Sequence, residues 1–415
     1  MNAFAIVIFG GLVSVFAIQL AASWLSLSSL MHTPAGSFAG LIDGRRYIQL
    51  QRYVRERTWL YIASEAAFLG WLLFFWHIRG FPWLDDAIRS WGLGWLWTGV
   101  LVVGALFAAR ALVGLPFTIM SVFSTEARFG FNNTRPGTFV GDLVKSALLS
   151  FILGGLLLAA VLSVLADAGR YSWVYAWIIV AVFFVLVQMA ASHLILPLFN
   201  TFTPVEDQRV RDVINSYTAR IGFPLKAVSV MDASTRSSKT NAFLTGFGSG
   251  RRLVLQDTLL DRHSISEVLA VVAHEIGHYK LRHIPIRVTI QILQLGIFFL
   301  LIALFVRDKG LYEAFYIRTP SIHLGIVICT LLYSPILFVA SILVNWLDRH
   351  QEYEADKFAA ETTKHPEAMA EALRKIAVEN LSQLAPHPLD VVLNYSHPPL
   401  RDRIAHLQRL DRGRP

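Results

Sequence analysis

Five consecutive residues carry the clearest chemical signal in this chain: His274-Glu275-Ile276-Gly277-His278, an H-E-x-x-H run. On an α-helix, positions i and i+4 differ by about 40° around the axis, so both imidazoles point to one side and can grip a single metal ion. Zn²⁺ suits such a pair, about 2.0–2.1 Å from each ring nitrogen. Glu275 lies beside that face, where its carboxylate can take a proton from a water polarised by the ion. The chemistry this pattern serves is peptide hydrolysis, with His274 and His278 as ligands and Glu275 as general base.

Two histidines leave a catalytic zinc one protein ligand short. A metzincin would carry glycine at 281 and a third histidine at 284, and this chain has Leu281 and Ile284. His283, five residues after His278, is expected to point away from the pair. The better source lies far downstream, in the polar run from Asn345 to Asp356. There Glu352 and Asp356 share a helical face, as a ligand and a carboxylate that orients a ligand histidine would. By spacing alone Glu352, Glu354 and His350 compete, with Glu352 favoured by its register with Asp356.

Several elements must position these groups. Ser264 followed by Glu267 forms a capping box that opens the H-E-x-x-H helix, which is expected to run to about Leu281. Upstream, an amphipathic helix is expected over Val205–Ile221 and a short strand over Ala227–Met231. Asn241–Leu244 and Arg252–Gln256 read as paired strands joined by a glycine-rich turn, Gly246 to Gly250. An extended peptide can add to the Asn241–Leu244 edge through backbone bonds, which makes Asn241 and Ala242 the substrate-binding candidates.

The rest of the chain is membrane. Of 415 residues, 54% are hydrophobic and 16% charged, and mean hydropathy is +0.50, whereas soluble domains carry about 25% charge. Seven apolar stretches are long enough to span a bilayer, near 4–30, 58–78, 92–115, 139–165, 172–196, 286–305 and 322–346. The N-terminal one lacks the basic leader of a signal peptide and reads as the first span. Alternate segments carry 28 and 6 Lys plus Arg, which places the N-terminus outside and both large polar segments in the cytoplasm. The net charge of +8 is therefore topology, and no nucleic-acid role is expected. The single cysteine, Cys329, lies in an apolar stretch and excludes disulfides and cysteine-based zinc sites. The expected fold is mostly α, with about seven transmembrane helices and a small α+β zinc-protease domain split by the last two spans. Residues 1–196 hold spans one to five, 197–283 the H-E-x-x-H segment, 284–346 spans six and seven, and 347–415 the third ligand. Glu65, Arg110, Lys145 and His193 fall inside spans, where they are costly in lipid and expected to face the bundle interior or water.

The chain resembles the type I CAAX prenyl proteases, membrane-embedded gluzincins. The match runs through Glu126-Ala127-Arg128-Phe129-Gly130-Phe131-Asn132, Pro197-Leu198-Phe199-Asn200, Phe202-Thr203-Pro204 and Asn241-Ala242-Phe243. It continues through Arg252-Leu253-Val254-Leu255, Asp257-Thr258-Leu259-Leu260, the H-E-x-x-H, Glu352-Tyr353-x-Ala355-Asp356 and Ser396-His397-Pro398-Pro399-Leu400. The resemblance implies Glu352 as third ligand, Asp356 behind a ligand histidine, and His397 and Arg403 facing the tetrahedral intermediate. It also matches Asn345 to a family asparagine seven residues before the ligand glutamate, and implies a chamber enclosed by the seven helices. Where this chain has Asp348, the family often has a small hydroxyl residue. The implied cofactor is one Zn²⁺ and the implied partner a prenylated or membrane-associated peptide or protein. Arginine outnumbers lysine 29 to 8, which points to a GC-rich bacterial genome and an inner membrane; in a eukaryote the resemblance implies the endoplasmic reticulum. A quality-control protease without a prenyl requirement uses the same site, and a non-catalytic transporter or lipid-binding protein is the reading from another class.

Overall fold

The computed structural model describes residues 2–33, 42–167, 169–246 and 250–412. The expected glycine-rich turn therefore falls partly on residues outside the described ones, 247–249. Seven helices are long and apolar enough to span a membrane: Ala3–His32, Gly44–His77, Gly94–Glu126, Pro136–Ala166, Gly169–Leu198, His283–Phe305 and Ile322–Thr363. Each packs against the next in sequence and the seventh returns to the first, which closes a ring. The ring is pinched where the seventh span begins, because Gly99 on the third span lets His323 approach to 3.1 Å of where a Cβ would stand. Buried Val102, Leu324 and Ile328 fill that end. The seven helices thus form a closed ring.

Two spans extend well beyond their apolar limits. The second begins at Gly44, fourteen residues before the expected 58, because Arg45, Arg46, Arg52, Arg55 and Arg57 end the hydropathy signal without ending the helix. The seventh runs on as one helix of 42 residues, about 63 Å at 1.5 Å per residue. The segment between spans two and three, expected as a loop, contains the helix Gly80–Arg89. Three of the four intramembrane polar groups have local partners: Arg110 lies over the Phe68 ring at 3.8 Å, Lys145 Nζ donates to Leu198 O at 2.9 Å, and His193 Nδ1 sits 2.7 Å from Ser192 Oγ.

The polar segments build one unit around a four-stranded sheet. Its strands are β1 (Phe202–Pro204), β2 (Ala227–Met231), β3 (Ala242–Thr245) and β4 (Arg252–Gln256), in the order β1-β2-β4-β3. Strands β3 and β4 are antiparallel, as expected, and β2 lies parallel to β4. Strand β1 is a three-residue element that its proline hides from sequence patterning. One sheet face, with Ala242, Leu253 and Leu255, packs on the H-E-x-x-H helix, Ile265–Lys280. The same core takes Ala359, Ala360, Met369, Ala372 and Leu407 from the C-terminal segment, so both polar segments share one interior.

Candidate metal centre

The H-E-x-x-H helix starts where the capping box places it. Ser264 accepts from the Glu267 N–H, and the Glu267 side chain accepts from the Ser264 N–H at 3.1 Å. Lys375 Nζ anchors the same carboxylate at 2.8 Å. Burial raises the Glu267 pKa, but Lys375 and the cap outweigh it and hold it below the usual value. The helix then lies on the seventh-span helix, with Gly277 at the crossing. A Cβ at that position would stand 3.3 Å from the Ala355 Cα and 3.2 Å from Phe358. Glycine within the motif thus permits the close approach that brings Glu352 to the histidines.

Three donors converge there. The Nε2 atoms of His274 and His278 lie 3.1 Å apart, and Glu352 oxygens stand 3.4 and 3.3 Å from them. Ligands 2.0–2.1 Å from a tetrahedral ion are separated by about 3.3 Å, so this triangle has the edge lengths of a zinc site. Two neutral imidazoles and one carboxylate are also the chemistry that zinc favours in hydrolases. Among the competitors left open by spacing, Glu354 is exposed and His350 packs on the Trp346 ring at 4.3 Å. Only Glu352 of the three meets both histidines.

Behind the donors the polar groups interlock. Asp356, fully buried, places Oδ1 3.0 Å from His274 Nδ1. Burial lowers the His274 pKa, yet Asp356 and Glu352 overcome it and raise it to about 9 in the metal-free protein. Arg403 is buried too, and clasps Asp356 with two bonds of 2.8 and 2.6 Å while Nη1 lies 3.1 Å from Glu352. Its pKa is raised because these carboxylates outweigh its desolvation. The expectation that Arg403 faces an oxyanion is thereby amended: its guanidinium braces the two carboxylates.

His278 is braced differently, and here sequence reasoning erred. The helix ends at Lys280, Arg282 takes a left-handed conformation at φ 61°, and a new helix starts at His283. That break swings His283 back, so its Nδ1 lies 3.0 Å from His278 Nδ1 and its Nε2 3.1 Å from Glu354. Placing His283 on the same helical wheel as His278 is what pointed it away; Pro285, in the first turn of the next helix, was the available signal for the break. Hydrogen bonds of this kind fix the tautomer and direction of a ligating imidazole.

Glu275 has no hydrogen bond or ion pair among the described residues, and burial raises its pKa despite the two histidines. It is held beside the donors but left chemically free. His397 reaches the site from a turn, with Nε2 3.2 Å from Glu352 Oε1 and its side chain exposed. That turn is pinned by the seventh-span helix: Asn345 Nδ2 donates to Leu393 O at 2.7 Å, and Arg349 Nη1 donates to Val391 O and Tyr395 O at 2.8 and 2.6 Å. Asn345 therefore supports the His397 segment and does not touch a ligand, while Arg349, which spacing did not single out, shares its task. Asp348 pairs with Arg287 at 2.8 Å, joining spans six and seven.

Asn241 immediately precedes, and Ala242 begins, the edge strand β3, which lies against the H-E-x-x-H helix. Gln256 N–H donates to Asn241 O, so residues 241 and 243 bond to β4. By antiparallel alternation the N–H and C=O of Ala242 and Leu244 then point to the free edge. The Ala242 N–H is met only by its neighbour's Asn241 Oδ1, at 2.9 Å.

Residues 25–201 match the family model described as CAAX prenyl protease N-terminal, five membrane helices, and residues 204–411 match peptidase family M48. A CAAX prenyl protease 1 homolog of Oryza sativa subsp. japonica is 31% identical over 385 residues, covering 90% of this chain and 89% of its own. The CAAX prenyl protease 1 homolog of Homo sapiens is 31% identical over 350 residues, covering 75% and 73%. The crystal structure of S. mikatae Ste24p superposes with a TM-score of 0.92 at 27% identity, over 98% of this chain and 99% of that one.

Proposed function

The chain belongs to peptidase family M48 and is a multi-pass membrane metallopeptidase; from this we propose that its metal is zinc and that it cuts prenylated CAAX proteins near their C-termini. The observation that carries the reading is the convergence of His274, His278 and Glu352 on one point, with an unpaired Glu275 beside it. The two histidines and Glu352 would hold the ion, with Asp356 and His283 orienting the rings from behind. Bound zinc supplies Lewis acidity, bringing the pKa of water toward about 7 and polarising a carbonyl.

The remaining work falls to the chain's own groups. A substrate segment in extended form adds to β3 through the outward backbone groups of Ala242 and Leu244, a mode that tolerates varied side chains. Glu275 takes the proton of the attacking water and delivers it to the leaving amine, and its raised pKa suits both tasks. His397, on the open side of Glu352, donates toward the oxyanion as it develops. Arg403 acts through Asp356 and Glu352 as a positioning residue. The charge distribution supports a cytoplasmic catalytic unit with the N-terminus outside. A chamber within the ring of spans, as the resemblance implies, would offer an apolar place for a prenyl group, and the names of the relatives support that substrate class.

The test is to purify wild type and Glu275→Ala in detergent, measure bound zinc, and assay farnesylated and plain peptides of one sequence. Zinc in both proteins, with cleavage of the farnesylated peptide only by wild type, is the expected result. Equal activity of the two proteins, or wild type without zinc, refutes the reading. Cleavage indifferent to the farnesyl group assigns a quality-control role instead.

A further inference from the structure

The sheet has a second face, and nothing in the catalytic chemistry uses it. Opposite the H-E-x-x-H helix, Phe202, Met231, Val254 and Phe243 form a small apolar patch. Beyond it opens a cavity of about 350 Å³ between the sheet and the last turns of the fifth span, lined by Ser192, Pro197, Asn200, Ser229, Thr245 and Arg252 among others. Among the described residues no carboxylate lines it.

Three of its polar side chains, Ser229, Thr245 and Arg252, have no partner among the described residues. The Arg252 side chain makes no hydrogen bond or ion pair among the described residues, and its Nε is buried without one. The neighbouring Arg251 shows how such a charge is normally met. On the other sheet face its guanidinium lies over the Phe223 and Tyr279 rings at 4.5 and 4.6 Å. Thr245 stands directly across from Arg252 in the β3–β4 ladder, and Ser229 across from Val254 in the β2–β4 ladder. Both hydroxyls thus flank Arg252 on one face, and neither has a partner among the described residues. A half-buried guanidinium with two free hydroxyls around it is a donor set for an oxyanion.

The place of the cavity names the source. Its wall is the end of a membrane span, Leu196 and Pro197, and the adjacent Leu194 and Leu198 are 67% and 50% exposed apolar side chains. That is the level at which lipid chains end and headgroups begin. We propose that this cavity binds a phosphate group presented by the headgroup of a membrane phospholipid. Arg252 grips the phosphate through its planar fork, with Ser229 and Thr245 donating from either side. Since Thr245 ends β3 and Arg252 pairs with it, a bound headgroup ties the substrate-binding strand to the fifth span.

The experiment titrates the full-length protein in detergent with dihexanoyl phosphatidic acid, dihexanoyl glycerol and inorganic phosphate, reading retained ligand by native mass spectrometry and the shift in Tm. Wild type should bind the phosphatidic acid saturably, and Arg252→Gln should weaken it about tenfold or more, the worth of one charged hydrogen-bonding group. The glycerol lipid should not compete, and inorganic phosphate should bind far more weakly. Equal binding of phosphatidic acid by wild type and Arg252→Gln overturns the proposal. Inorganic phosphate binding as tightly as the lipid, and depending on Arg252, overturns the lipid source and leaves a site for soluble phosphate. Circular dichroism and a single elution peak verify the fold of Arg252→Gln. Should it fail to fold, Ser229→Ala with Thr245→Val replaces it, and unchanged lipid binding there is equally fatal.

Discussion

Two helices supply the metal site, and they do so in opposite ways. The H-E-x-x-H helix has 16 residues, its own capping box, and both histidines within one turn and a half. The seventh-span helix has 42 residues, begins in the membrane, and delivers Glu352 and Asp356 near its far end. The first is a local device, in which helical periodicity alone aims the imidazoles. The second is a long lever whose contribution depends on packing at Gly277 and on charge balance around Asp356. The difference teaches that chemistry and assembly are divided between their carboxylates: replacing Glu275 on the short helix should silence the reaction in an intact protein, and replacing Asp356 on the long helix should loosen the protein itself.

The sharpest test of that division is Glu275→Gln. Hydrolysis should fall by about 10²–10⁴-fold, the range for a lost general base, while zinc content and Tm stay at wild-type values. A comparable loss of zinc would show that Glu275 is structural and erase the contrast. On the long helix, Asp356→Ala leaves Arg403 buried and short of its partner, which costs about 3–5 kcal/mol. Thermal unfolding of the metal-free protein should reveal that loss, and an unchanged Tm would show that Asp356 serves the metal alone.

Gly277→Ala addresses the crossing itself. The added methyl meets the Ala355 backbone, which cannot rotate away, so overpacking of about 1–3 kcal/mol is expected. Zinc competition with a chromogenic chelator should show weakened affinity, and unaltered affinity would mean that the helices part without moving Glu352. His283→Ala should lower zinc affinity by about 10–100-fold, as loss of a hydrogen-bond partner of a ligand does. Glu354→Gln should do less, because that carboxylate is exposed. The reverse order would make Glu354 the true anchor of His278.

The smallest effect concerns the cap. Because the folded pKa of Glu267 is depressed, its ionised form stabilises the protein fully above the ordinary value of 4.5 and loses that contribution as pH falls toward the folded pKa. Glu267→Gln should therefore melt below wild type at pH 6, and the gap should close as the solution is acidified below 4.5. A gap independent of pH would mean that hydrogen bonding, not charge, carries the cap.

Much of the site was legible because it is local. The histidine pair, Glu275, the capping box and the β3–β4 pairing each rest on contacts within a few residues. Glu352 was favoured over Glu354 and His350 by its register with Asp356, and the resemblance supplied His397 and Arg403. His283 was misplaced because its position turns on one left-handed residue, Arg282, and no hydrophobic period announces such a break. Arg349 went unnoticed because its partners are backbone carbonyls at 391 and 395, which carry no side-chain signature.

By itself the sequence determined that seven apolar stretches must lie in a membrane, that one helix presents two imidazoles and a carboxylate, and that catalysis is hydrolytic and metal-dependent. Those conclusions follow from hydrophobicity and from the 3.6-residue helical period, both properties of nearby residues. Only the tertiary structure decided which groups brace those ligands. It turned Arg403 toward Asp356, folded His283 onto His278, and left the Arg252 side chain at a cavity with no partner among the described residues. Each of these depends on which distant carboxylate or backbone group arrives at hydrogen-bonding distance, and that is set by packing between elements.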